Sequence, residues 1–132
     1  QPIMMRLKSD LAQICLATLD GDLDTVRVDW DPRAALGVVM AAGGYPGSYV
    51  KGQEIFGLDD ADSATRKVFH AGTAEDSGKV VTAGGRVLCV VGLGESVSSA
   101  AEEAYAAAGK ICWDDVYLRH DIGHRAIARE QA

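Results

Sequence analysis

Cysteine is scarce in this chain and poorly placed for cross-linking. Cys15, Cys89 and Cys112 are three in 132 residues, an odd number at wide spacing. They support neither a disulfide framework nor a CxxC metal site, and a reducing cytoplasm is the simplest expectation. Basic residues are in the minority, with 13 Lys and Arg against 19 Asp and Glu for a formal charge of −6. Without a basic cluster, that balance argues against nucleic acid and anionic membranes as partners. No apolar run approaches the roughly 20 residues of a spanning helix, and no basic segment followed by an apolar one opens the chain as an export signal would. Internal repeats and low-complexity segments are absent as well.

Several catalytic signatures also fall short. Gly92-x-Gly94 lacks the third glycine of a dinucleotide-binding GxGxxG, and Ser98 is not the centre of a GxSxG nucleophile elbow. His120 and His124 share a helical spacing but lack the Glu-x-x-His core of a zinc protease, which favours a structural or interdomain role. His70, between Phe69 and Ala71 in an expected strand, suits packing or a sheet-edge hydrogen bond, so no general base is assigned. Cys89 lies in an apolar run that predicts burial over reactivity. Asp114-Asp115 without further ligands reads as a solvated turn, and no metal site is assigned.

What is present is enough for one compact core: 48% hydrophobic residues in a chain of common domain length. From Pro2 to about Leu19, Ile3, Leu7, Leu11, Ile14 and Cys15 recur at helical spacing and predict one amphipathic helix. Val26 to Trp30 alternates like a short strand before Asp31-Pro32. Leu36 to Ala42, Gln53 to Gly57, Lys67 to Gly72, Lys79 to Ala83 and Arg86 to Leu93 predict strands of a small curved antiparallel sheet. Asp59 to Ser63 suits one turn of helix, and Ala74 to Gly78 a polar hairpin-like connection. Ser96 to Ile111 is the clearest helix, with Ser96 as N-cap and a small-residue face of Val97, Ala100, Ala101, Ala104, Tyr105 and Ala108 suited to lie close on a sheet. Val116 to Leu118 predicts a last short strand and Ile122 to Arg129 a final turn or helix. The fold class expected is α+β.

Two glycine-rich segments carry the chemistry. In Leu36 to Gly52, LGVVMAAGGYPGSYVKG, an apolar strand runs into a turn with two tyrosines and a lysine. Gly44, Tyr45 and Pro46 read either as a tight turn or as a backbone approach to a small anion. Tyr49 is a candidate pocket residue, and Lys51 either a point charge for an anion or a solvated surface lysine. In Val80 to Gly94, VVTAGGRVLCVVGLG, Gly84 and Gly85 let a backbone approach a ligand, and Arg86 supplies a forked cation for phosphate or carboxylate. The plainer alternative is a strand-end arginine paired with a surface carboxylate.

These segments, with KVFHAGT at Lys67 to Thr73 and the ending WDDVYLRHDIGHRAIARE, resemble the C-terminal domain of the phosphoribosylamine–glycine ligase family. The resemblance runs from Gln1 to about Gln131. It implies an ATP-grasp ligase of purine synthesis that joins 5-phosphoribosylamine to glycine through a glycyl phosphate while ATP becomes ADP. It also favours the ligand reading of Gly44, Tyr45, Pro46, Tyr49, Lys51, Gly84, Gly85 and Arg86, with Arg86 as anchor for the substrate phosphate. The implied sheet is a rudiment single hybrid motif of the kind closing ATP-grasp enzymes.

In that family an R-F-G-D-P-E-type motif bearing metal-binding and nucleotide-binding residues lies just upstream of a segment like Gln1 to Leu7. The resemblance therefore places ATP and Mg2+ outside this chain and implies a fragment, inactive alone, whose partners are phosphoribosylamine or glycinamide ribonucleotide and an N-terminal ATP-grasp portion. Residues 1–25 are then the last helix of that portion and the crossing from it, and residues 26–132 the C-terminal domain. The competing expectation is a free-standing phosphate-ligand module, or one that self-associates through Ile3, Leu7, Leu11 and Ile14.

Overall fold

The computed structural model describes residues 1–132. Four helices and six strands follow one another as α1 (Pro2–Arg6), α2 (Leu11–Asp20), β1 (Ala34–Ala41), β2 (Arg66–His70), β3 (Thr73–Asp76), β4 (Lys79–Thr82), β5 (Arg86–Gly94), α3 (Val97–Ala108), β6 (Tyr117–Leu118) and α4 (His124–Glu130). A four-stranded sheet has the order β2-β5-β1-β6, and β3 pairs with β4 in a hairpin. Every ladder is antiparallel, as the short glycine-punctuated segments predict.

The central strands follow from their residues. β5 carries a continuous apolar run, Val87 to Val91, buried on both faces, and β1 and β5 pair along nearly their whole length from Ala34↔Gly94 to Met40↔Leu88. Alternate residues point to opposite faces. Leu36 and Val38 on β1 meet Ala100, Ala101 and Ala104 of α3. Met40, Leu88 and Val90 join Ala107, Ala108, Ile111 and Trp113 in the larger core cluster. Glycine lets helix and sheet approach closely, since a Cβ at Gly92 would lie 2.3 Å from the carbonyl oxygen of Ala100.

Local chemistry fixes the N-terminal end of α3. Ser96 and Ser99 form a reciprocal capping box. From α4, the Glu130 carboxylate accepts hydrogen bonds from the backbone N–H of Val97 at 2.7 Å and Ser98 at 3.1 Å. A carboxylate there satisfies free amides and complements the helix dipole. Across the sheet edge, Arg66 Nε donates to Glu103 at 2.6 Å and Thr65 Oγ1 to the same oxygen at 2.8 Å. Together these tie α3 to both neighbouring elements.

The single helix expected over Pro2 to Leu19 is two helices. Leu7 is extended and bridges to Trp30, and Asp10 caps a new helix by accepting from Ala12 N at 2.8 Å. Asp and Ser side chains compete for backbone donors and so interrupt a periodic stretch. The apolar residues therefore form no continuous stripe. Val26 to Trp30 likewise forms no strand, with a 3₁₀ turn at Leu23–Thr25 before it. Trp30 bridges to Leu7, and Lys8 N donates to Asp29 O at 3.0 Å.

The hairpin-like connection expected over Ala74 to Gly78 lies mostly in β3, with the turn at Ser77-Gly78. Thr73 opens that strand, and the polar Glu75 and Asp76 sit on an exposed edge where water leaves their pairing legible only in three dimensions. Gln53 to Gly57 makes isolated bridges, Glu54↔Val81 and Phe56↔Cys112, and no regular strand.

Candidate anion site on the open face of the sheet

Gly37, Val39 and Ala41 of β1 alternate with the residues that face α3, so they form the floor on the other side of the sheet. A cleft of about 230 Å³ opens there, walled by Arg86 on one side, Tyr117 and Arg119 on the other, and by Tyr45 and Ile122. The ladders explain this convergence: Ala41 pairs with Arg86 of β5 and with Tyr117 of β6. Between Met40 and Ala41 the β1–β5 register shifts. A bulge of this kind re-aims side chains at a sheet end.

The two glycine-rich segments meet at this point. Ala42 N donates to Gly85 O at 2.9 Å, and the ring of Tyr45 covers Gly85. Gly44 has φ +89°, and a Cβ there would lie 2.3 Å from Ser48 O, so the turn requires glycine. The Tyr45–Pro46 peptide is cis. Tyr49 meets Tyr45 edge-on with ring centroids 6.2 Å apart and packs against the core. Lys51 stands behind them, its Nζ 5.8 Å from the Tyr49 ring centroid, and is not part of the cleft wall. Gly84 packs against the backbone of Gly72, with Gly84 N donating to Gly72 O at 3.0 Å. Of the candidates, then, Tyr45 and Arg86 line the cleft, Gly44 and Gly85 shape it, Pro46 and Tyr49 flank it, and Lys51 and Gly84 lie outside.

Arg86 has no carboxylate partner, as none of the six ion pairs of the protein includes it. Arg86 also borders a second cavity of about 270 Å³ with Gln1, Val39, Ala71, Leu88 and Cys89. Arg119, in contrast, is held by Asp121 through Nε at 2.9 Å and Nη2 at 2.6 Å. That hydrogen bonding, with the charge of Arg119, keeps the Asp121 carboxyl below its ordinary range. Cys89 is driven the other way, burial raising its thiol above the usual value. It is buried and unreactive by position.

Nothing in the sequence marks Tyr117 or Arg119 as a site residue. The strand at Val116 to Leu118 was readable, and its alternation sends Tyr117 to the open face. Nothing in sequence shows that β6 lies beside β1. The histidines do not converge: His120 stacks on Tyr105 with centroids 6.1 Å apart, His124 Nδ1 lies 2.9 Å from Asp121 O, and His70 Nδ1 lies 3.0 Å from Thr73 Oγ1. No group of three or more His, Cys, Asp or Glu side chains is arranged to hold a metal ion. No helix is long and apolar enough to cross a membrane.

Fold and site together define an α+β domain whose antiparallel sheet is backed by α3 on one face and, beside the Pro2 end of α1, bears an aromatic and cationic cleft on the other. The family described as phosphoribosylglycinamide synthetase, C domain, matches residues 35–125, and the chain belongs to that family. It is 58% identical to a phosphoribosylamine–glycine ligase of Vibrio cholerae over all of its own length and 31% of that protein's. It is 57% identical to the protein of that name from Allochromatium vinosum, again covering 100% of this chain and 31% of the relative. A crystal structure of phosphoribosylamine–glycine ligase from Thermotoga maritima superposes with a TM-score of 0.59 at 42% identity, covering 67% of this chain and 21% of that one. The chain thus spans about a third of the length of the curated relatives it matches.

Proposed function

We propose that this chain is the C-terminal wall of a phosphoribosylamine–glycine ligase, and that its open-face cleft presents phosphoribosylamine to an activated glycine. In that reaction ATP phosphorylates the glycine carboxylate and leaves as ADP. The amine of phosphoribosylamine then attacks the acyl carbon and displaces phosphate, giving glycinamide ribonucleotide. The observation that carries the reading for this chain is Arg86, a guanidinium without a carboxylate partner on a cleft shared with Tyr45. An unpaired arginine with its fork free suits a phosphate or carboxylate. The family resemblance assigns the metal and ATP to the remainder of the enzyme.

In this reading residues 1–25 close the ATP-grasp part, residues 26–132 form the C-terminal domain, and its sheet is of the single hybrid motif type. The family's nucleotide-binding and metal-binding motif precedes a segment like Gln1 to Leu7. Gln1 lines a cavity with Arg86, which supports an active site assembled between that motif and this sheet. Charge complementarity and positioning lower a ligation barrier by several kcal/mol but do not replace a phosphoryl donor. The isolated chain is therefore expected to be inactive.

The test is a chimera in which this chain replaces the matching segment of the Vibrio cholerae ligase. ATP-dependent and glycine-dependent formation of glycinamide ribonucleotide is expected from the chimera and not from the chain alone. A well-folded chimera without activity would contradict the assignment. A second reading, self-association through the N-terminal segment, is favoured by Ile3 at 69% exposure and Leu19 at 82%. Sedimentation of the chain alone decides it: a dimer that I3D and L19D dissolve supports it, and a monomer opposes it.

A further inference from the structure

Two arginines line the cleft, and the reading just given uses only one. We propose that Arg119 is the second arm of the anion site, so that Arg86 and Arg119 grip a single phosphoryl group from opposite walls. This inference rests on the assignment of the cleft to a phosphorylated ribosyl substrate.

The topology places the arms. Ala41 on the central strand pairs with Arg86 on one side and with Tyr117 on the other, and Arg119 lines the same wall as Tyr117. The floor between them, Gly37, Val39 and Ala41, offers no polar side chain. An anion entering there has the two arginines as its cationic partners. A phosphate monoester bears about −1.5 to −2 near neutral pH; Arg86 meets it with an unpaired charge, whereas Arg119, its charge already paired by Asp121, contributes directional N–H donors. Arg119 is only partly committed to Asp121, which accepts from Nε and Nη2. A guanidinium has five N–H donors in a planar fork, so the edge away from Asp121 keeps its donors. Locking one edge on a carboxylate also reduces the side-chain entropy lost when the other edge takes a ligand.

The experiment uses the full 132-residue chain, labelled with nitrogen-15 and titrated with ribose 5-phosphate, ribose and inorganic phosphate. R86A and R119A assign the two arginine Nε–Hε resonances. The clamp predicts that ribose 5-phosphate moves both resonances with one binding constant, that inorganic phosphate also moves both, and that ribose moves neither. R86A and R119A should each weaken ribose 5-phosphate by about tenfold to a hundredfold, the scale of lost charge-assisted hydrogen bonds. Movement of Arg86 alone, or unchanged affinity in R119A, overturns the second arm and leaves the Arg86 assignment standing. If neither resonance moves, the clamp falls, while activity of the chimera still decides the ligase reading separately.

Discussion

Tyr45 lies where any side chain at position 85 would have to go. A Cβ built on Gly85 would stand 2.1 Å from Cδ2 of the Tyr45 ring, a distance that real atoms do not reach without displacement. The glycine is therefore the seat of the tyrosine, and the two glycine-rich segments depend on each other. Replacing Gly85 by alanine should dislodge Tyr45 and cost about 1–3 kcal/mol, as overpacking of a close contact does. Urea unfolding of G85A measures that cost. In the chimera the same change should raise the KM for phosphoribosylamine while leaving that for ATP within about twofold.

Two other glycines separate crowding from backbone conformation. Gly92 faces the backbone of α3, where a Cβ would be 2.3 Å from Ala100 O and 2.5 Å from Ala104 N. Neither is a flexible group that can yield, so G92A should cost at least about 3 kcal/mol, at the upper end of overpacking. Gly78 has φ +78° with open space around it. There G78A should cost only about 1–2 kcal/mol of left-handed strain. Equal penalties in chemical denaturation would contradict the close seating of α3 on β5.

Core truncation provides a scale. Leu88 is fully buried in the larger cluster, and L88A should cost about 2–5 kcal/mol. An exposed residue such as Val50 should tolerate alanine within about 0.5 kcal/mol.

Acid should weaken the fold in a specific window. The Glu103 carboxyl is held below its ordinary value first by its hydrogen bond from Arg66 and then by that from Thr65. Asp31 is held far below its ordinary value by the side chain and backbone N–H of Arg33. A carboxyl with a lowered folded pKa contributes stability above its unfolded pKa, near 4, and loses it as pH falls through the folded value. Stability should be flat from about pH 7 to 5 and fall below about pH 4. In E103Q that acid limb should be shallower, measured by melting temperature against pH. An unchanged slope would mean that Glu103 contributes no proton linkage.

The strands of the central sheet were legible because branched apolar runs and glycine breaks reflect burial, and α3 because its cap and alanine face are local features. Two kinds of feature were not. The helix break at Lys8-Ser9-Asp10 is invisible to periodicity, since it is set by a cap and by the distant bridge of Leu7 to Trp30. The strand β3 lies on a polar edge, where water replaces the apolar partner that pattern reading needs. For the cleft, Tyr45 and Arg86 were readable as unusual residues beside glycines. Arg119 was not, because its place depends on β6 pairing with β1, a contact between positions far apart in the chain. Lys51 and Gly84 share the composition of the site, yet neither lies on the cleft wall.

The most direct measurement is steady-state kinetics of R86A in the active chimera, with each substrate varied in turn. If Arg86 anchors the substrate phosphate, KM for phosphoribosylamine rises at least about tenfold, the scale of a lost charge-assisted contact, while KM for ATP and for glycine stays within about twofold. Equal changes for all three substrates, or none for phosphoribosylamine, would contradict the account.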